Sequence, residues 1–233
     1  NSKRVANTPL RILEELTTEN DWILEPGDML YLPPQIAHHG ISMGDCITLS
    51  IGLRSPSHDQ VWSSFADHIC STITKEIHLD DPDLKPQLNP GEMSPDAINK
   101  LKDIISSYIT EDTLSDWFGQ YSTEPKSEHV VLPSEELMDR DELSELLSTD
   151  LSIRWNEGSR FSYYHPENHI DQIKFFFDGN ERKLTQQSIP LVKLICSSNL
   201  TSLNQINPLI ESGKQLELLL DLINGGHLYL EEV

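Results

Sequence analysis

The sequence predicts an α+β chain in which a β-rich segment is followed by a helical region and then by a small winged-helix-like domain. Three observations predict this order. Short β-type runs bounded by Pro, Gly and Asp occupy residues 10–54, and apolar residues recur every four positions from Val61 onward. After residue 129, helical segments alternate with short strands. The predicted domains are residues 1–55, 56–121 and 129–233.

The β-rich segment contains two strand-like runs, DMLYLPP and DCITLSIGL. Alternation in the second run puts Ile47, Leu49 and Ile51 on one face, and Thr48, Ser50 and Gly52 on the other. One face is therefore apolar, and the other is small and polar. This pattern is typical of a sheet that lines a pocket, and equally of an ordinary half-exposed strand.

Three helices are predicted in the middle of the chain. Ser57 and Gln60 form a capping-box pattern before an apolar face of Val61, Phe65, Ile69, Ile73 and Ile77. Ser94-Pro95 begins the second helix, and TLSDWFG forms a short third helix that ends at Gly119. The apolar faces are larger than one small bundle needs, which favours a homodimer through this helical region.

The last part of the chain predicts helices with a small β-wing. STEPKSE is the best linker, because it is polar and aperiodic. A helix carrying Leu137, Leu143, Leu146 and Leu147 follows, then a hairpin that turns at residues 156–159 and a strand, IKFFFDGN, that ends in an Asp-Gly turn. Three helical segments precede a final strand, HLYLEE.

Composition restricts the partners. The chain has 17 Lys and Arg against 38 Asp and Glu, for a net charge of −21. This disfavours DNA and an anionic membrane, which both need basic contacts. It suits a basic partner such as a ribosomal protein, although adaptation to solubility or salt explains the acidity equally well. Three separated cysteines fit a reducing cytoplasm, and no apolar run is long enough to span a bilayer.

His38 is the main candidate for chemistry. It follows a double-proline turn in EPGDMLYLPPQIAHHG, and such a turn fixes where the imidazole points. This segment resembles the distal-histidine segment of the JmjC-type cupin oxygenases, in particular the bacterial ribosomal oxygenases that hydroxylate an arginine of a large-subunit ribosomal protein. ITLSIGLRSP, FADHI, DWFGQY and FFFDGN continue the resemblance along most of the chain, in the same order of parts.

The resemblance implies that residues 1–55 are the C-terminal part of a cupin jelly roll. It also implies that His38 is one of two histidines that, with one carboxylate, hold Fe(II). 2-Oxoglutarate, the cosubstrate, would take two of the remaining positions on the metal. Thr48 and Ser50 lie on the polar face of the strand run that follows His38, where a hydroxyl would meet 2-oxoglutarate, although hydroxyls bonded to neighbouring backbone fit these positions at least as well.

The sequence departs from the family in one respect. The family's His-x-Asp pair and the basic residue that grips 2-oxoglutarate both precede the His38 segment, and neither has a counterpart before Leu24. His78-Leu79-Asp80 and His169-Ile170-Asp171 come after His38, in the wrong order. We therefore expect a portion of a longer hydroxylase, inactive on its own.

Two alternatives stay open. The chain is either such a portion or a non-catalytic dimerisation and adaptor module, with a cupin remnant and a protein-binding winged helix. A cupin that binds sugar or acts as an isomerase fits the helical and winged-helix tail less well. DNA binding by the winged helix is disfavoured, because the sequence after Leu184 contains only two lysine or arginine residues, Lys193 and Lys214.

Overall fold

The computed structural model describes residues 3–9, 12–52, 55–79, 86, 88–125, 130–167 and 171–232. The chain divides into two compact units, Asn1–Ser55 and Pro56–Val233. Among the described residues, no helix is both long and apolar enough to cross a membrane.

The first unit has turns but no strand among its described residues. Its only antiparallel bridge there joins Arg4 to Leu13. The Pro-Gly-Asp turn is present, since the Asp28 N–H donates to the Glu25 carbonyl at 3.0 Å and Gly27 has a φ of 96°. The two predicted strand runs stay unpaired and exposed. A β-strand is stable only beside a neighbouring strand, which the described part of this unit does not supply.

The second unit begins with three helices: α1 (His58–Thr72), α2 (Pro95–Tyr108) and α3 (Glu111–Thr123). The capping box of Ser57 and Gln60 is confirmed, as is the cap in which Ser94 Oγ accepts from the Ala97 N–H at 3.1 Å. The first helix is shorter than predicted, since it ends at Thr72 and leaves Ile73 and Ile77 outside it.

The third helix is longer than predicted, because it runs through Gly119 to Thr123. Gly119 does not end the helix; it allows close packing. A Cβ at this position would lie 2.4 Å from the ring of Phe176, so only glycine lets α3 approach the sheet beneath it. The prediction that the helix ends at Gly119 was therefore wrong.

A small aromatic core joins α1 to α3. Phe65, Ile69 and Trp117 are buried together, and the indole N–H of Trp117 donates to Ser64 Oγ at 3.0 Å. In contrast, α2 has no buried residue. Its apolar side chains remain exposed, including Ile98, Leu101, Ile104 and Ile105.

The rest of the second unit contains short helices and strands. The helices are α4 (Arg140–Leu146), α5 (Ile189–Ser197), α6 (Leu203–Ile206) and α7 (Gly213–Asn224). The strands are β1 (Ser152–Trp155), β2 (Phe161–Tyr164), β3 (Gln172–Phe177), β4 (Asn180–Thr185), β5 (Leu200–Ser202) and β6 (Leu228–Glu231). Two antiparallel sheets result, with strand orders β5-β1-β6 and β2-β3-β4.

The predicted hairpin at residues 156–159 is wrong. The turn exists, since the Ser159 N–H donates to the Asn156 carbonyl at 2.8 Å, but β1 and β2 belong to different sheets. Asn156 is held instead by the start of β6, through its N–H to the His227 carbonyl and its amide to the Gly226 carbonyl. The turn therefore passes the chain from one sheet to the other.

The predicted Asp-Gly turn forms a true hairpin between β3 and β4. Asp178 and Gly179 both have positive φ, 48° and 79°, as a two-residue type I′ turn requires. The main core lies between these sheets and the helices, and the described ranges contribute seventeen buried apolar residues to it, among them Ile173, Phe175, Leu191 and Leu219. The sequence analysis did not predict strands β4 and β5.

Candidate functional site

His38 lies on the surface of the first unit, directly after the turn at residues 33–36. Its Nδ1 is 3.1 Å from the Ile36 carbonyl oxygen. Because a carbonyl oxygen can only accept, Nδ1 must carry the proton in this contact. In a neutral ring, the lone pair is then on Nε2, which is the form a metal ligand needs.

Thr48 and Ser50 are exposed in the same unit. Neither side chain hydrogen-bonds to another described residue. Nearby, the Ser42 hydroxyl contacts the Gly44 carbonyl and lies 3.4 Å from Cys46 Sγ. The structure therefore places the three candidate residues in one unit but links none of them to another.

The described residues do not make a complete metal site. No group of three His, Cys, Asp or Glu side chains comes together within them. A single imidazole does not fit the requirement for three protein ligands around iron. His38 is suited to be one ligand, but the described residues alone do not hold the metal.

The two His-x-Asp sequences give no alternative site. Among the described residues, His78 makes one surface contact, with its Nε2 3.6 Å from Glu76 Oε1. Its partner Asp80 lies outside the described residues, as do His169 and Ile170 of the second sequence.

Sequence reasoning missed a buried polar cluster around Asp178. Its carboxylate accepts from Ser159 Oγ at 2.8 Å and from the Arg160 N–H at 2.7 Å, and it lies 2.6 Å from His227 Nδ1. Burial alone would raise the pKa of Asp178, but the hydrogen bonds from His227, Arg160 and Ser159 outweigh it and lower that pKa. The Asp-Gly turn was the signal that could have drawn attention to this aspartate.

The cluster contains Ser, His and Asp but is not arranged for nucleophilic catalysis. Both Ser159 and His227 contact the same oxygen of Asp178, so the serine proton is directed to the carboxylate and not to the imidazole. Asp178 is instead a structural centre. It joins the β3–β4 turn to residue 160 before β2 and to residue 227 before β6.

A second missed cluster surrounds Lys174, which is only 7% exposed. Its Nζ donates to Asp112 Oδ1 at 2.6 Å, to Ser115 Oγ at 2.9 Å and to Asp116. Burial alone would lower the pKa of Lys174, but the bonds to Asp112 and Asp116 outweigh it and raise that pKa. The lysine fixes α3 to β3. In the sequence, the feature that could have revealed it is a charged residue inside the apolar run IKFFF.

Cys196 offers no nucleophile. Burial raises the pKa of the Cys196 thiol to about 12, so it stays protonated near neutral pH. Cys46 and Cys70 are exposed, free and distant from each other in sequence.

Comparison with known proteins identifies two parts. Residues 1–61 match the JmjC domain model, and residues 99–229 match the ROXA-like winged helix model. The chain is 24% identical over 209 residues to the ribosomal protein uL16 3-hydroxylase of Escherichia coli (strain K12), covering 89% of this chain and 54% of the relative. It is 26% identical over 153 residues to the probable ribosomal oxygenase of Haemophilus influenzae, covering 62% of this chain and 38% of that protein.

Solved structures of E. coli YcfD, a ribosomal oxygenase, have the same fold. One, in complex with cobalt and succinic acid, aligns with a TM-score of 0.64 and 20% identity over 77% of this chain and 48% of that one. Another, in complex with cobalt and 2-oxoglutarate, aligns with a TM-score of 0.63. The chain thus spans about half the length of these relatives. The predicted fold class, with JmjC-type and winged-helix parts, is confirmed.

Since the ROXA-like winged helix model alone covers residues 99–229, more than half of the chain, this protein belongs to the ROXA-like winged-helix family and carries JmjC-domain sequence at residues 1–61.

Proposed function

We propose that this chain is part of an Fe(II)- and 2-oxoglutarate-dependent hydroxylase that modifies an arginine of a basic ribosomal protein. The observation that carries the proposal is the segment EPGDMLYLPPQIAHHG, within the residues that match the JmjC domain. The names of the relatives, a ribosomal protein hydroxylase and a ribosomal oxygenase, support the reaction class. The complexes of YcfD with cobalt, succinic acid and 2-oxoglutarate support the cofactors.

His38 is the proposed metal ligand, through Nε2. The contact of Nδ1 with the Ile36 carbonyl supports this role, because it holds the ring in the tautomer that leaves Nε2 free to bind. Thr48 and Ser50 are proposed to contact 2-oxoglutarate, since they lie on the polar face of the run that follows His38.

Two further protein ligands must complete the iron site, and the described residues supply no three-residue group that could do so. We therefore propose that the 233-residue chain alone is inactive. When iron and 2-oxoglutarate are bound in the complete site, they would activate dioxygen. The contribution of this chain would be to orient one imidazole and to cover the cosubstrate.

We also propose a homodimer formed through the helical region. Support comes from α2, whose apolar side chains Ile98, Leu101, Ile104 and Ile105 are all 42% exposed or more. A solvated helix with such a face is usually covered by a partner. The proposed domain limits remain 1–55, 56–121 and 129–233, with α3 running two residues beyond the second limit and packing on the last domain.

The acidity supports a basic substrate and a cytoplasmic protein that does not bind DNA or a membrane surface. On α7, the acidic residues Asp221 and Glu217 pair with Arg182 and Arg140, at 2.8 and 3.8 Å. Two of the basic side chains near this helix are therefore already engaged by carboxylates. A phosphate backbone would meet mostly negative charge here.

The test compares the chain with the protein encoded by its complete open reading frame. Fe(II) titration and succinate formation should give no stoichiometric binding and no turnover for the chain. The complete protein should add one oxygen atom to an arginine of a ribosomal protein, as measured by mass spectrometry of tryptic peptides. In the complete protein, His38→Ala should abolish iron binding, and His39→Ala, the matched control, should keep it.

The alternative is a non-catalytic dimerisation and adaptor module. It is favoured by one observation, the absence of a three-ligand group among the described residues. The two proposals separate on the complete reading frame. An adaptor would have no upstream His-x-Asp and no iron-dependent activity in any form of the protein.

A further inference from the structure

A small pocket lies between α1, α3 and the turn that joins β3 to β4. We call it the α1–α3 pocket. Its volume is about 190 Å³, and it is lined by Gly179 of that turn and by six side chains: Ser64, His68, Trp117, Gln120, Tyr121 and Glu124. The pocket contains none of the residues proposed above for the hydroxylation reaction.

The aromatic side of the pocket is held rigidly. Trp117 stacks on Tyr121 with ring centres 5.5 Å apart and meets the edge of Phe65 at the same distance. Its indole N–H is fixed by Ser64 Oγ at 3.0 Å. Trp117 is 7% exposed, whereas Tyr121 is half-buried, so Tyr121 is the ring that a cation entering the pocket would lie against.

The polar lining of the pocket includes one carboxylate and one amide oxygen that can accept hydrogen bonds, from Glu124 and Gln120. The side chain of Glu124 makes no ion pair or hydrogen bond to any residue in the described ranges. Gln120 uses its amide N–H on Glu181 Oε2 at 3.4 Å, which leaves its carbonyl oxygen available. Behind it, Glu181 Oε1 is buried, and it has an ion-pair contact with Lys183 Nζ at 3.4 Å.

Among the described residues, carboxylates outnumber lysines and arginines around the pocket. Within the same ranges Glu181 has one cation, Lys183, with Nζ 3.4 Å from Oε1, and that lysine is shared with Asp116. Glu124 directly follows the C-terminal end of α3, where the helix dipole disfavours a carboxylate. Helix stability therefore does not explain a glutamate at this position, and a bound cation would.

We propose that the α1–α3 pocket binds the side chain of an arginine in a cationic peptide. A guanidinium is planar, carries five N–H donors and stacks on aromatic rings, so it matches a pocket that offers the Tyr121 ring, the Gln120 carbonyl oxygen and the Glu124 carboxylate. The volume equals that of roughly six water molecules, which is enough for a guanidinium and part of its stem. The net charge of −21 would raise the local concentration of such a peptide.

The experiment titrates the peptide acetyl-Gly-Arg-Gly-amide into the ¹⁵N-labelled chain and follows the indole N–H resonance of Trp117. We expect a saturable shift. Glu124→Gln should weaken binding roughly two- to fivefold, as for loss of a partly exposed ion pair. The matched control is Glu136→Gln, which removes an exposed carboxylate before α4 and should leave the affinity unchanged.

Two further peptides define what is recognised. Replacing arginine by citrulline keeps the shape but removes the charge, and should abolish the shift. Replacing it by lysine keeps the charge but removes the planar fork, and should weaken binding.

The proposal is overturned if no saturable shift occurs, if citrulline or lysine binds as well as arginine, or if Glu136→Gln weakens binding as much as Glu124→Gln. Glu124→Gln should fold normally, since it removes an unfavourable charge from a helix end. Its amide spectrum reports this directly.

Discussion

Two regions of the molecule use the same kinds of apolar residue in opposite ways. In the winged-helix part, Leu219 on α7 is 0% exposed and packs in the main core. In the first unit, Leu49 is 86% exposed, and its alternating neighbours Ile47 and Ile51 are exposed as well. The sequence pattern around Leu49 is a good β pattern, yet no strand forms.

The difference lies in the neighbours. Strand β1 has partners on both sides, β5 and β6, so its backbone groups are satisfied and its apolar face meets helices. Residues 45–52 have no strand beside them among the described residues. A local pattern therefore specifies which face of a strand is apolar, whereas the fold depends on whether another element covers that face.

The largest expected contrast comes from the same substitution in the two regions. Leu219→Ala should lower the free energy of unfolding by about 2–5 kcal/mol, because it leaves a cavity in a packed core. Leu49→Ala removes the same atoms from a solvent-exposed side chain and should change the free energy of unfolding by about 0.5 kcal/mol or less. Urea unfolding followed by far-UV circular dichroism measures both. A Leu49→Ala variant as unstable as Leu219→Ala would mean that the first unit has a core of its own.

A smaller effect is expected from the close contact between α3 and β3. Gly119→Ala places a methyl group where the Phe176 ring already lies, and should cost about 1–3 kcal/mol of unfolding free energy. Gly44→Ala is the matched control, since nothing lies within 4 Å of the added Cβ. Thermal unfolding should show a lower Tm for Gly119→Ala alone. Equal Tm values for the two variants would contradict the helix–sheet contact.

The Asp178 cluster predicts a particular pH dependence. A carboxyl whose pKa is lowered on folding stabilises the protein above its unfolded pKa, and that stability is lost as the pH falls through the folded pKa. Asp178 should therefore contribute fully above the ordinary carboxyl value of 3.8 and progressively less in more acidic solution. Asp178→Asn should cost about 1–3 kcal/mol near neutral pH, as for a buried group that loses hydrogen bonds.

The measurement is unfolding free energy against pH for the wild type and two variants. The difference between wild type and Asp178→Asn should shrink as the pH drops below 3.8. Glu136→Gln, an exposed control, should follow the wild-type curve. A difference that stays constant across the acid range would show that Asp178 acts by packing and not by charge.

Sequence reasoning predicted the features that depend on neighbours in the chain. The caps at Ser57 and Ser94 and the turn at Asp178 follow from residues at most three positions apart, and all three formed. It failed where distant residues decide. From the sequence alone, Gly119 is predicted to end a helix. Its actual role depends on close packing against Phe176, which is far along the chain.

The same limit applies to the site. The double proline predicted a fixed approach to His38, but the metal ligands that complete an iron site are distant in sequence and are not identified by local spacing. Lys174 and His227 were missed for a related reason. A lysine in an apolar strand and a histidine after two glycines gain meaning only from the aspartates that reach them from elsewhere.

The smallest expected effect on stability is also the most informative about function. His38 is exposed, and the one hydrogen bond it makes to a described residue is to a carbonyl two residues away. His38→Ala should therefore change the unfolding free energy of this chain by about 0.5 kcal/mol or less, measured by urea unfolding. If His38→Ala leaves the stability of this chain unchanged and removes iron binding from the complete protein, His38 serves the metal site and not the fold. A large loss of stability would instead make it a structural histidine of the turn, and the proposed ligand role would lose its support.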